Sequence, residues 1–289
     1  MLGEIPELSM AQEDGRPPTI LSAGSAPGES GVFVYSAYFK DGLHISATRR
    51  RLHHICFHIT DPPRLDCRIA DKTLCHEPSK GTMGICPAES DYAADADGDF
   101  EAILVAIDPN QLALAAAEDS ALNAQLIDRL STSDRALFDL ARSLASESTH
   151  AYASGPLFWN EMASAFIDGL LARHTTRFEG RVRGTLGKDV FRRLRDYIEA
   201  HLDRPIEVAA LARVAGRSRF HFTRIFTQSV GMSPHRYIVH LRLQRAIELM
   251  LDGQSGLAEI AASTGFADQS HLSRWTRRVH GVSPSQLAS

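Results

Sequence analysis

A chain of 289 residues has room for two domains, each with its own core. Its composition is that of a soluble globular protein, and the absence of any run of 18 apolar residues leaves no transmembrane helix to expect. The net charge of −4 hides an asymmetry: from Lys188 onward there are 15 Lys and Arg against 9 Asp and Glu, whereas residues 1–187 carry 16 against 26.

A basic C-terminal third points to a polyanionic partner for that part of the chain. The opening stretch MLGEIPELSMAQEDGRPP lacks the basic and apolar regions of a secretory signal. Four cysteines in a chain of this size do not make a disulfide framework, so a cytoplasmic protein with reduced thiols is expected.

Residues 1–30 are rich in Gly, Pro, Ser and acids without periodicity, which predicts a flexible tail. From Gly31 the texture becomes β-like. GVFVYSAYF, LHHICFHI, GTMGIC and FEAILVAI are separated by turn signals such as Lys40-Asp41-Gly42, Asp61-Pro62-Pro63 and Asp97-Gly98-Asp99. Short strands at this spacing predict a small sandwich or barrel.

After Asp108-Pro109 the pattern turns helical over Asn110–Glu118, Ser133–Ser148 and Gly155–His174. The last carries Phe158, Met162, Phe166 and Leu170 as a stripe two turns longer than covering a small sheet demands, which favours a dimer role. The resulting division is a β-rich effector-sensing and dimerisation domain over 31–174 and a linker over 175–188. An all-α domain follows over 189–289, opened by a helix at Asp189–His201.

Within that last domain one pattern occurs twice. Val208, Leu211, Ala212 and Gly216 fall over Leu257, Ile260, Ala261 and Gly265 at an offset of 49. Phe222, Thr223, Arg224, Gly231, Ser233 and Pro234 fall over Leu272, Ser273, Arg274, Gly281, Ser283 and Pro284 at an offset of 50. One extra residue therefore sits in the second copy's turn. Each copy is helix, tight turn with Gly, helix: the helix-turn-helix layout.

Between the copies, Ser233 as N-cap, Pro234 at the first helical position and Gly253 as stop delimit a helix of 19 residues, about 28 Å long. Such a rod holds two recognition helices roughly one DNA turn (~34 Å) apart on a single face of the duplex.

In the first copy Phe222, Ile225, Phe226 and Val230 share one face and are expected in the core. In the second, Leu272, Trp275 and Val279 do the same. The opposite faces present Arg217, Ser218, Arg219, Phe220, Thr223, Arg224 and Thr227, and Gln269, Ser270, His271, Ser273, Arg274 and Arg277. Arg pairs with guanine in bidentate fashion, Gln with adenine and hydroxyls with either, while Phe220 suits thymine methyls or equally the edge of the first copy's core. The two faces differ in chemistry, so the expected DNA site is asymmetric.

Gly216-x-Ser218 through Arg224-x-Phe226, Gly231-x-Ser233-Pro234 and Gly281-Val282-Ser283-Pro284 resemble the AraC/XylS family of bacterial transcriptional regulators over residues 189–289. The resemblance implies that Phe220, Thr223, Arg224, Gln269, Ser270, His271 and Arg274 occupy base-reading positions. Two departures stand out: the extra residue between Gly265 and Asp268, and Thr276 where the family has an aromatic opposite Phe226. The second core is therefore expected to differ in detail.

The N-terminal part resembles the family's cupin-like β-barrel followed by dimerising helices, giving an α+β chain overall. Near Gly81 and Pro87, Glu89 and Ser90 stand where metal-binding cupins place His, so a metal-free effector pocket is inferred. The family likeness implies a DNA-binding regulator, not an enzyme, acting as a homodimer without cofactors. RNA polymerase is a candidate partner and the small-molecule effector is unidentified.

His44, His53, His54, Cys56, His58, Cys67, Cys75, His76 and Cys86 crowd into residues 44–86 and suggest a metal or thiol-redox sensor as the alternative. Against that stand the missing Cys-x-x-Cys and the tendency of free Cys to be buried. Asp91, Asp95, Asp97, Asp99 and Glu101 fail the calcium-loop template because Gly98 comes three residues after Asp95. No hydrolase, zincin or phosphate-loop motif is present. A nonspecific nucleic-acid module is a second alternative for the basic third.

Overall fold

The computed structural model describes residues 18–25, 31–47, 50–62, 64–118, 122, 124–150, 152–176 and 185–287. They form two compact units, which do not follow the chain in simple order. Of the described residues, the first takes those within 18–109 and 125–176, and the second those within 110–124 and 185–287.

The first unit begins with strands β1 (Thr19–Ser25), β2 (Val32–Phe39), β3 (Leu43–Ala47), β4 (His53–His58) and β5 (Arg64–Ile69). It continues through β6 (Lys72–His76), β7 (Thr82–Cys86), β8 (Tyr92–Asp97) and β9 (Phe100–Ile107). Helix α1 (Pro109–Glu118) then leaves for the second unit. The chain returns with β10 (Gln125–Leu126), β11 (Arg129–Ser133), α2 (Arg135–Thr149), α3 (Gly155–Arg173) and β12 (Thr175–Thr176).

One sheet has the order β1-β2-β9-β4-β7-β11 and a second β3-β8-β5-β6, with β10 and β12 pairing separately. All pairings between these strands are antiparallel.

The run FEAILVAI explains why β9 is central. Phe100, Ala102 and Leu104 pack with Leu43, Ile45 and Leu65 of the second sheet. Strand alternation turns Ile103, Val105 and Ile107 to the other face. There Phe57 of β4 meets Phe138 of α2 and Phe166 of α3 at ring distances of 6.0 and 6.1 Å. The layers are therefore sheet, sheet and helices.

Three expectations change. Residues 19–25, placed in a flexible tail, form β1, because its backbone pairs with β2 from Thr19↔Tyr38 to Ser25↔Phe33. The β-rich unit is two facing sheets; among the described residues neither β1 nor β11 pairs with an edge strand of the other sheet, so no closed barrel is found. The α3 stripe is largely used within the unit: Phe166 and Leu170 are buried, while Phe158 and Met162 are half-buried.

In the second unit α4 (Lys188–Glu199), α5 (Val208–Val214) and α6 (Arg219–Val230) precede the long α7 (Pro234–Asp252). After it come α8 (Leu257–Ser263), α9 (Gln269–His280) and α10 (Pro284–Leu287). Leu114 and Ala117 of α1, with Leu122, join Phe191, Leu194 and Phe226 in one core cluster. The Glu118 carboxylate accepts from Gln244 Nε2 at 2.8 Å and meets His240 Nε2 at 2.6 Å, both on α7. A boundary at 174 therefore misses that α1 is built into the helical unit.

Helix α7 serves two cores because it is apolar on two faces. Tyr237, Ile238 and Leu241 belong to the α1/α4/α5/α6 cluster, and Val239, Leu243, Ala246 and Met250 to the α8/α9 cluster. At 3.6 residues per turn these sets lie on opposite sides of the helix.

Candidate nucleic-acid interface

The two helix-turn-helix pairs are α5–α6 and α8–α9, with first helices of 7 residues and second helices of 12 in both. The turn between them spans 215–218 in the first pair and 264–268 in the second, so the extra residue falls in the turn. Both second helices are capped by side chains: Ser218 Oγ accepts from His221 N at 3.4 Å, and Asp268 Oδ1 from His271 N at 2.7 Å. Both end on a left-handed Gly, Gly231 (φ 75°) and Gly281 (φ 74°). A Cβ on Gly231 would come within 2.5 Å of the Asn110 carbonyl oxygen, so glycine here also admits α1. The rod α7 runs over the 19 residues expected, between the Ser233 cap and a left-handed Gly253.

The first core holds Phe222, Ile225, Phe226 and Val230 as the sequence predicts, with Ser229 added. Buried Ser229 Oγ accepts from Leu186 N and donates to Ile225 O, both at 2.8 Å. The second core differs: Leu272 and Thr276 are buried, and Trp275 is only half-buried. Thr276 can occupy the interior because its hydroxyl donates to Leu272 O at 2.9 Å. Trp275 instead donates Nε1–H to His271 Nε2 at 3.0 Å and carries the Arg278 guanidinium 5.2 Å over its ring.

On the outer faces Arg217, Ser218, Arg219, Phe220, Arg224, Gln269, Ser270, Arg274 and Arg277 are exposed. Thr223, His271 and Ser273 are half-buried. Phe220 is 84% exposed, which removes it from the core and leaves a large apolar ring in solvent at the start of α6. Thr223 donates to Arg219 O at 3.0 Å and keeps its oxygen as an acceptor. His271 is held by Trp275, and Ser218 by its capping role, so both support the helices more than they reach outward.

Among the described residues the guanidinium groups of Arg219, Arg224, Arg274 and Arg277 make no hydrogen bond or ion pair within the chain. Elsewhere on this unit Arg192, Arg195 and Arg245 each hold an acid, at 2.9, 2.7 and 2.7 Å. Unpaired guanidiniums collected on two helix faces are free to pair with phosphate or guanine. The Asp268 cap, the Trp275–His271 bond and the Arg278 stack escaped sequence reasoning. Asp268 immediately before α9 was the one available signal, as an N-cap residue type.

The first unit contains a separate candidate site, a cavity of about 50 Å³ between the two sheets. His54, Cys56 and His58 lie on its wall, as their alternation on β4 requires. Burial pushes the His54 and His58 imidazoles down to about 3 and about 4, with the Arg50 charge adding to the effect at His54 and His76 at His58. Burial likewise pushes the Cys56 thiol up to about 12 and those of Cys67 and Cys86 to about 11. Thiols held this way are poor nucleophiles. No group of three or more His, Cys, Asp or Glu among the described residues is arranged to hold a metal ion.

Residues 211–289 match the family described as helix-turn-helix domain. Over 91 residues the chain is 37% identical to the probable transcriptional regulator LumQ of Photobacterium leiognathi, covering 32% of this chain and 37% of that protein. The C-terminal region therefore carries a helix-turn-helix domain. Over 98 residues the chain is 32% identical to the transcriptional regulator MtrA of Neisseria gonorrhoeae, covering 33% of each. The chain thus spans about a third of the length of these relatives.

Among solved structures, an AraC-type DNA-binding domain-containing regulator from Chromobacterium violaceum is 26% identical with a TM-score of 0.34, covering 35% of this chain and 90% of that one. ToxT from Vibrio cholerae is 14% identical with a TM-score of 0.35, covering 90% of this chain and 98% of that one. Among the described residues no helix is long and apolar enough to cross a membrane.

Proposed function

We propose that this protein is a sequence-specific transcriptional regulator that reads two successive major grooves with α6 and α9 and responds to a small molecule held by the β-rich unit. The observation that carries the reading is the pair of unpaired faces, Arg219, Phe220 and Arg224 on α6 and Gln269, Arg274 and Arg277 on α9, joined by a rod of about 28 Å. Thr223, Ser270 and Ser273 supply shorter hydroxyl contacts, and Arg217 reaches toward phosphate. The action is binding rather than catalysis, in the cytoplasm, with a population shift as the response to ligand. The half-buried Phe158 and Met162 with exposed Leu157 on α3 support a homodimer.

Selection of bound sequences from a random duplex library tests the reading. The expected product is an asymmetric motif with two conserved blocks about ten base pairs apart. Enrichment of no sequence, together with binding that only falls steeply with salt, would identify a nonspecific nucleic-acid module instead.

A further inference from the structure

We propose that the cavity between the two sheets takes a small monocarboxylate with an apolar body, its anionic group held by Arg50. The proposal rests on the reading of the first unit as a ligand-sensing domain. Arg50 lines the cavity and is only 9% exposed. Its guanidinium lies 5.5 Å over the Tyr92 ring and has no carboxylate or hydrogen-bond partner among the described residues. Among the described residues no Asp or Glu lines the cavity. A guanidinium that is mostly buried and meets only an aromatic face keeps its N–H groups available on the cavity side, where a ligand anion can accept from them.

The rest of the wall defines what the anion is attached to. Phe39, Leu43, Ile45, Ile69, Phe100 and Leu104 present aliphatic and aromatic surface. A polyol would need a dense set of donors and acceptors that this lining lacks. The polar atoms that do face inward are few. His54 Nδ1 is committed to Leu52 O at 3.0 Å, while His58 Nδ1 is buried without a partner. Both rings stay neutral near pH 7, so they add hydrogen-bonding capacity without adding charge.

Arg129 stands at the exposed rim, leaving Arg50 as the buried charge in the site. A single buried positive charge matches a monoanion better than a phosphate dianion. The free space of about 50 Å³ is far below the ~300 Å³ of a typical small-molecule pocket, so binding must widen the gap between the sheets.

Calorimetry and thermal shift on the full chain test this with hexanoate, octanoate, benzoate and phenylacetate against the matching primary amides and a hexose. The acids are expected to bind roughly ten- to a hundred-fold more tightly than their amides. Arg50→Met, which keeps the stem volume, should lose that preference, and Arg50→Lys should keep part of it. Equal binding of acids and amides by the unsubstituted protein overturns the proposal even if Arg50→Met does not fold. So does an unchanged preference in Arg50→Met, or no binding by any acid in the panel. Intact carboxylate binding in a protein whose DNA selection yields no motif would overturn the regulator reading alone.

Discussion

The packing of α1 into the helical unit can be tested through one side chain. Leu114 is 8% exposed and belongs to the same cluster as Phe191, Leu194 and Phe226. Leu114→Ala removes about three methylene equivalents at ~0.8 kcal/mol each, and the cavity left behind brings the expected loss to about 3 kcal/mol. The protein's two tryptophans separate the units: Trp159 lies on α3 in the first and Trp275 on α9 in the second. In a Trp159→Phe background, urea unfolding followed by fluorescence reports the second unit alone. With a slope of ~2 kcal/mol/M, Leu114→Ala should lower the Trp275 midpoint by about 1.5 M. Helix α7 lends residues to both helical cores, so damage in the first is expected to reach Trp275. An unmoved Trp275 midpoint, with a lowered Trp159 midpoint in the reciprocal Trp275→Phe background, would place α1 with the sheets and refute the packing argument.

Arg224→Ala and Arg274→Ala are each expected to relax base preference at one position of the selected motif, costing ~1–3 kcal/mol in competition binding; equal discrimination in both variants would remove them from the reading face. Phe220→Ala should weaken binding to motif DNA while leaving the melting temperature within about a degree, since the ring is 84% exposed and contributes little to the fold. Burial raises the Glu118 carboxyl, but hydrogen bonds from His240 and Gln244 and the nearby Arg195 charge outweigh it and leave it below the ordinary value. Its contribution is therefore present above the ordinary carboxylate range and lost as pH falls through its folded value. Glu118→Gln should flatten the acid limb of the second unit's stability curve, read at Trp275. In a thiol titration of the native protein at neutral pH, exposed Cys75 should react first and the other three only on unfolding; rapid modification of Cys56 would revive a redox role.

The sequence by itself determined the helix-turn-helix region, because its signals are local. Ser233, Pro234 and Gly253 fix the ends of α7 through groups within a turn of each end, and the 3.6-residue spacing of Phe222, Ile225, Phe226 and Val230 names a buried face without reference to any partner. The outward Arg, Gln and Ser of α6 and α9 follow by subtraction. The strong runs of β2, β4, β7 and β9 were legible for the same reason: an apolar β-rich stretch announces itself.

Only the tertiary structure decided the rest. Thr276 takes the fully buried position, its hydroxyl bonded to Leu272 O of its own helix, while Trp275 packs only half-buried against the same core. In the sequence Arg50 is only the middle of three consecutive arginines, and the meeting of two sheets made it a buried cation beside Tyr92. The residues of β1 carry little alternation, and they became a strand because β2 offered an unpaired edge. Helix α1 presents an apolar face that could have covered either unit. It went where Leu114, Ala117 and Leu122 find Phe191 and Phe226 and where Glu118 meets His240, partners more than sixty residues away that no local pattern specifies.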